Sequence, residues 1–278
     1  MNEFSDRYGP WALIAGGAQG IGEAYARHVA ARGVNLLLLD KAPEPLASLC
    51  TELQNAHGIA CEGVGVDLAS PQMLQDVIAA VGDREIGLLI YNAAIADVGP
   101  FYKPDTGLAL EQAKLAVNAA GPMLLTYHFA RPMLERRRGG ILLMSSGAGL
   151  NGAPYYAHYS ATKAYAIALA EALYEEFKPY SVDVMACIAG MTLSTAAEGY
   201  QHLDTSTFQT PAQLVEETMT AFGTTPSFVA GTAHREGREF LDQLPRAQRV
   251  SLVAQHAIDN FMGGTPLPQN LSPEEPSP

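Results

Sequence analysis

From Trp11 to Asp40 the chain reads WALIAGGAQGIGEAYARHVAARGVNLLLLD. Five apolar residues lead into a glycine-rich turn, an amphipathic run follows, and a second apolar run closes the stretch. Trp11–Ala15 predicts a strand, residues 20–31 a helix ended near Gly33, and Asn35–Asp40 a second strand. Both strands are apolar at nearly every position rather than at alternate ones. That pattern belongs to strands of a parallel sheet covered by helices on both faces. Further apolar runs at 60–66, 87–92, 141–145 and 182–188, with helical patterns between them, repeat the strand–helix–strand unit. The predicted fold is therefore α/β, a Rossmann-type doubly wound parallel sheet of about seven strands.

The turn itself is Gly16-Gly17-Ala18-Gln19-Gly20-Ile21-Gly22. A chain passing from strand to helix beside a pyrophosphate must turn tightly and bring its backbone to the phosphate, and side chains would block that approach. The helix start then presents unpaired N–H groups and a partial positive charge to the anion. Asp40 ends the second strand twenty residues after Gly20. A carboxylate there accepts hydrogen bonds from both ribose hydroxyls of NAD and repels the 2′-phosphate of NADP. The alternative for Asp40 is an N-cap of a helix starting near Pro43. Lys41 follows directly and is placed to pair with a phosphate, so NAD is favoured and NADP stays possible. Gln19 adds no positive charge. Asp67 and Leu68 end the third strand, where an adenine edge would lie, and Asn92-Ala93-Ala94 end the fourth, where small residues let the backbone approach a cofactor.

Composition excludes other classes. Of 278 residues, 48% are hydrophobic and 17% charged, as expected of a globular chain, and the net charge of −12 opposes a nucleic-acid partner. Arg136-Arg137-Arg138 reads as a helix end. Cys50, Cys61 and Cys187 have no paired spacing and no His cluster beside them, which argues against zinc or a disulfide framework, and no metal is expected. The opening MNEFSDRYGP lacks the apolar region of a secretory signal, and the apolar stretch 164–173 is interrupted by Glu171. A cytoplasmic protein without a membrane span is expected. Residues 1–263 read as one dinucleotide-binding catalytic domain, residues 264–278 (GTPLPQNLSPEEPSP) as a poorly ordered tail, and a helical lid is expected near 191–228.

Tyr159-Ser160-Ala161-Thr162-Lys163 puts Tyr and Lys on one face of a helix. A phenol, with an ordinary pKa of about 10, is a poor base at neutral pH, and a fixed ammonium beside it lowers that value. Such a tyrosine removes a proton from an alcohol as hydride leaves, or donates one to a ketone. Ser146 ends a strand 13 residues earlier, and its hydroxyl is placed to bond a substrate oxygen. Ser145 is the structural alternative. Gly149, Gly152 and Pro154 make the connection compact.

Ala15-Gly16-x-x-x-Gly20-Ile21-Gly22, Asn92-Ala93-Ala94, Asn118, Ser145 through Gly149 and Tyr159-x-x-x-Lys163 together resemble the short-chain dehydrogenase/reductase family, single-domain branch, over residues 8–194. The resemblance implies an oxidoreductase that moves hydride between NAD(P) and a secondary alcohol or ketone. It implies a site of Asn118, Ser146, Tyr159 and Lys163, with Asn118 holding a water through a kinked helix and Lys163 also contacting the ribose. It further implies Gly190 beside the nicotinamide and Thr192 or Ser194 on its carboxamide. The chain departs from the family at Ala15, where threonine is usual, at the alanine of Asn92-Ala93-Ala94 where glycine is common, and at Ala189-Gly190, where Pro-Gly is usual.

Tyr8-Gly9-Pro10-Trp11 and Pro226 through Gly231 also resemble the branch of 17β-hydroxysteroid dehydrogenases and long-chain 3-ketoacyl reductases. A lipophilic substrate is implied, with Tyr155, Tyr156, Met191 and Phe228 either lining its pocket or lying in the core. His158 reads as structural, because successive helix positions point apart. The rival readings are a cofactor-binding regulator without turnover and a nucleotide-sugar epimerase or dehydratase; the first commonly loses Tyr or Lys, and the second usually has a longer chain. Helices around 107–138 and 155–178 resemble those that pair between subunits, giving a homodimer or homotetramer. Ala164, Ala168 and Ala172 form a small-residue stripe that faces either a partner or the chain's own sheet.

Overall fold

The computed structural model describes residues 3–103, 107–193 and 205–269. Seven parallel strands form one sheet in the order β3-β2-β1-β4-β5-β6-β7. They are β1 (Trp11–Ala15), β2 (Asn35–Asp40), β3 (Cys61–Gly65), β4 (Ile86–Tyr91), β5 (Gly139–Ser146), β6 (Val182–Ala189) and β7 (Ser227–Val229). The helices are α1 (Glu3–Tyr8), α2 (Gly20–Ala30), α3 (Pro43–His57), α4 (Met73–Val81), α5 (Gly107–Leu115), α6 (Gly121–Arg136), α7 (Ala157–Phe177), α8 (Pro211–Ala221), α9 (Thr232–Asp242) and α10 (Arg246–Phe261).

The apolar runs divide their side chains between two cores. Leu36 and Leu38 of β2 join Tyr25 and Val29 of α2, Leu46 and Leu53 of α3, and Leu214 and Val215 of α8 on one face. Leu37 and Leu39 join Val77 of α4, Leu125, Phe129 and Met133 of α6, and Ile167 of α7 on the other. Continuous apolarity along β1, β2, β4, β5 and β6 thus follows from burial on both sides, whereas β3 and β7 at the sheet edges are largely exposed or half-buried. Strand order reverses between β1 and β4, and the crevice at that switch point is where an open α/β sheet binds ligands.

The second half of the expected lid is part of the body of the fold. Leu214, Val215 and Thr218 of α8 are buried against α2, and Thr210 caps the helix in a capping box with Gln213. Residues 194–204 of that segment lie outside the described residues, as do residues 270–278 of the expected tail; Gln269 within it accepts the Tyr102 N–H at 3.0 Å. Between α5 and α6 the helix passes through one π turn, Ala116–Ala120. The alanine stripe does not face the sheet: Ala166, Ile167 and Ala170 do, while Ala168 and Ala172 are exposed.

Two clefts open at opposite ends of the sheet. One of about 690 Å³ lies at the carboxyl ends of the strands, and one of about 720 Å³ lies at their amino ends, among α1, Arg136-Arg137-Arg138 and Asp183. The three arginines tie the end of α6 to its neighbours through the carbonyls of Ile86, Pro179 and Asp6.

Candidate active site

The cleft at the carboxyl ends runs from Asp40 to Tyr159. Its first end is built by the glycine turn. Gly16 has φ +78°, and a Cβ there would stand 2.8 Å from the Ala93 backbone. A Cβ on Gly22 would meet the Gly16 carbonyl at 1.8 Å, so Gly22 lies under the turn rather than in the cleft. Asn92 donates to that same carbonyl at 2.8 Å, binding the end of β4 to the turn. Gln19, Gly20 and Ile21 line the cleft, and no side chain caps the first turn of α2. The strand-end residues Asp67, Leu68, Ala93 and Ala94 line it as well.

Asp40 is not the cap of α3, whose N-cap is Ala42 without a side-chain bond. Its carboxylate accepts the Ala18 N–H at 3.1 Å and the Lys41 N–H at 2.8 Å, so it braces the turn from the cleft floor. The Lys41 ammonium reaches Asp67 at 3.4 Å across the rim, an exposed pair of little energetic weight.

The other end of the cleft is built by β5, α7 and the π turn. Lys163 is 4% exposed, donates to the Met144 carbonyl at 2.9 Å and stands 5.7 Å from the centre of the Tyr159 ring. Burial lowers its pKa to about 8, the weak field of Cys187 opposing. Tyr159 and Ser146 line the cleft beside it. Ser146 Oγ accepts the Ala148 N–H at 3.3 Å, whereas Ser145 Oγ donates to the Lys163 carbonyl at 2.8 Å and holds β5 against α7. Asn118 lies in the π turn, 2% exposed and behind the cleft. Its amide clamps Ile95 by two bonds, Oδ1 accepting the N–H and Nδ2 donating to the carbonyl, each at 2.8 Å, and Nδ2 also lies 3.2 Å from Thr162 Oγ1.

Gly190 and Thr192 line the third wall, with Thr192 Oγ1 donating to the Gly190 carbonyl at 3.1 Å; Ser194 lies outside the described residues. Of the four residues weighed as pocket lining, Tyr156 and Met191 line the cleft, but Tyr155 and Phe228 do not. Phe228 packs on the core under the Arg235 guanidinium, 5.5 Å above its ring. His158 is held by Glu111 at 2.6 Å, away from the cleft. Three participants escape sequence reasoning. Phe261, the last residue of α10, packs edge-on to Tyr156 at 5.8 Å and lines the cleft. Met144 receives Lys163 through a carbonyl, and Ile95 receives Asn118 through its backbone. Backbone partners leave no mark on side-chain identity.

The residues present fit a dinucleotide. The turn admits the close approach that a Cβ would fill, the end of α2 is uncapped by any side chain, and a carboxylate stands at the end of β2.

Comparison with known proteins agrees. The profile of the short chain dehydrogenase family matches residues 10–206. A 7beta-hydroxysteroid dehydrogenase of Mediterraneibacter gnavus is 28% identical over 238 residues, covering 83% of this chain and 89% of that protein. A very-long-chain 3-oxoacyl-CoA reductase-like protein of Arabidopsis thaliana is 33% identical over 192 residues, 68% of this chain and 61% of that one. A structure solved to explain 7beta-hydroxysteroid dehydrogenase stereoselectivity superposes with a TM-score of 0.85 at 25% identity, over 91% of this chain and 99% of that one. The chain belongs to the short chain dehydrogenase family and is an NAD(P)-dependent oxidoreductase of secondary alcohols and ketones.

Proposed function

We propose that the chain oxidises or reduces a hydroxysteroid-like substrate at a secondary carbon, with NAD preferred to NADP. One observation carries the reading: Ser146, Tyr159 and Lys163 meet at one end of a cleft whose other end is the glycine turn and Asp40. When bound, the nicotinamide cofactor supplies the hydride acceptor or donor. In the oxidising direction the Tyr159 hydroxyl, as phenolate, takes the alcohol proton; in the reducing direction it returns one to the carbonyl oxygen. The Lys163 ammonium, held by the Met144 carbonyl, stabilises the phenolate and is placed to reach the ribose hydroxyls. The Ser146 hydroxyl donates to the substrate oxygen and steadies its developing charge. Asn118 fixes the loop after β4 against α7, so that the cofactor wall at Ala93 and Ala94 keeps its distance from Tyr159, and its place in the π turn suits the water-holding role the family implies.

An apolar substrate is supported by Tyr156, Met191 and Phe261 in the lining of the cleft, and by the names of the relatives. Assembly into a homodimer or homotetramer is supported by the outward alanine stripe and by Leu108, Leu115, Met123, Tyr127 and Tyr165 exposed on the same helical layer. A cytoplasmic location is part of the same proposal; among the described residues no helix is long and apolar enough to cross a membrane. The test is turnover of the purified protein with NAD and NADP against hydroxysteroids and 3-oxoacyl thioesters, followed at the nicotinamide absorbance. Turnover of a steroid alcohol with NAD at least about tenfold better than with NADP in kcat/KM is expected. Activity confined to acyl thioesters would replace the substrate assignment.

A further inference from the structure

The chain leaves β6 at Gly190 and forms the cleft wall facing the glycine turn. Two segments hold the base of this wall. On one side Gln209 acts through its backbone, donating N–H to the Met191 carbonyl at 3.2 Å and accepting the Leu193 N–H at 2.8 Å. On the other side is His234 of α9, whose Nε2 accepts the Met191 N–H at 2.9 Å. The ring lies close against two glycines. A Cβ on Gly190 would stand 2.1 Å from its Nδ1, and a Cβ on Gly231 2.7 Å from the same atom. Two glycines far apart in the chain therefore answer to one imidazole.

Accepting an amide proton fixes the state of the ring. Nε2 must offer a lone pair, so the imidazole is neutral and its proton is on Nδ1, buried beside the Ala230 backbone without a bond of good geometry. Burial lowers the pKa of His234, the Ala230 backbone opposes, Arg235 on its own helix lowers it further, and Glu217 of α8 raises it. Glu217 is already committed to the Gly231 N–H, Arg235 and Gln209. The wall itself, Gly190 to Leu193, brings no titratable side chain. A second proton would make Nε2 a donor facing an N–H, and the contact would break.

We infer that His234 is a positioning residue for the nicotinamide end of the cofactor: its neutral ring holds the Met191 amide, and through it the backbone from Gly190 to Thr192, in place. The inference rests on the reading of this cleft as a dinucleotide site. It extends that reading to a helix beyond residues 10–206, the part of the chain that the family profile matches.

Calorimetric titration with NAD and with ADP-ribose, which lacks the nicotinamide, tests it. His234→Phe keeps a planar ring and removes the acceptor. Its Kd for NAD should rise about tenfold, while its Kd for ADP-ribose should change by less than about twofold. His234→Gln offers an amide oxygen to Met191, so its NAD affinity should match the parent's at about pH 7.5. As the pH falls from about 7.5 to below the ordinary imidazole value of about 6.5, toward about 4.5, the parent should lose NAD affinity, and the Gln variant should not. Unchanged NAD binding in the Phe variant overturns the inference, as does equal weakening for both ligands. Acid loss in the Gln variant equal to the parent's overturns it too, and that series decides alone if the Phe variant does not fold. A parent protein that binds neither ligand overturns the dinucleotide reading instead, and no variant is needed to see it.

Discussion

The two clefts have nearly the same volume, about 690 and 720 Å³, yet their chemistry is opposite. At the amino ends of the strands the buried charge, Asp183, is answered by a counter-ion. Asp183 takes the Arg7 guanidinium at 2.6 Å and the Tyr8 hydroxyl at 2.7 Å, burial and that carboxylate push the Tyr8 phenol well up, and Glu85 takes Arg138. At the carboxyl ends Lys163 is buried with a carbonyl for partner, and among the described residues no carboxylate pairs with it. Space alone does not mark a site. A buried charge left without a counter-ion does, because only a site that uses the charge repays the cost of burying it.

The sharpest way to break this contrast is Tyr159→Phe. It should lower kcat by at least about a thousandfold, roughly 4 kcal/mol, with cofactor affinity and melting temperature unchanged. Near-normal steady-state turnover in that variant would remove the carboxyl-end cleft from the chemistry. Asp183→Ala reverses the pattern. The Tyr8 hydroxyl and Arg7 lose their acceptor, so unfolding in urea should show a loss of about 3 kcal/mol, while kcat/KM measured well below the melting point stays within about twofold. A kinetic defect there would make the amino-end cleft functional.

Lys163→Met should abolish most turnover and stabilise the fold. Its pKa falls from the ordinary 10.5 to about 8, so burying the ammonium costs roughly 3 kcal/mol, offset by about 1 kcal/mol for its bond to the Met144 carbonyl. The folded value lies below the unfolded one, so the cost is complete below about pH 8 and vanishes above about pH 10.5. Calorimetric melting should thus show a gain of roughly 2 kcal/mol at neutral pH that shrinks as pH rises. A variant less stable than the parent at pH 7 would mean the ammonium is compensated after all. The smallest effect is expected at Asp40. Asp40→Ala should narrow the preference for NAD by about tenfold, roughly 1.4 kcal/mol, and weaken both cofactors somewhat because Ala18 loses its acceptor. Gln19→Arg added to it should narrow the gap further. Kinetics with both cofactors would show whether the sign is right.

Legibility divided along the same line. Trp11–Ala15 and Asn35–Asp40 were readable to the residue because each strand declares itself by an unbroken apolar run. β7 was not: Ser227–Val229 is three half-buried residues at the sheet edge, too few to display a period. The glycine turn and Tyr159 with Lys163 were readable because the chemistry needs their spacing within one turn or one helix. Phe261, Ile95 and His234 reach the site through contacts between distant elements, and nothing local in the sequence announces such a meeting. The packing of α8 against α2 was less legible, because the apolar spacing of Leu214, Val215 and Thr218 does not say which helix it meets.

The π turn at Ala116–Ala120 carries a mechanical consequence. Each residue advances a helix by about 100°, so one extra residue in a turn offsets everything before it from everything after it by about that angle. Asn118 meets Ile95 and Thr162 while Leu125, Phe129 and Met133 lie against the sheet, two demands that this offset reconciles. Deleting a single residue from Ala116–Ala120 would restore an even screw and set the two halves against each other. Either the apolar stripe stays seated and Asn118 swings off its clamp, or the clamp holds and the stripe is wrung out of the core.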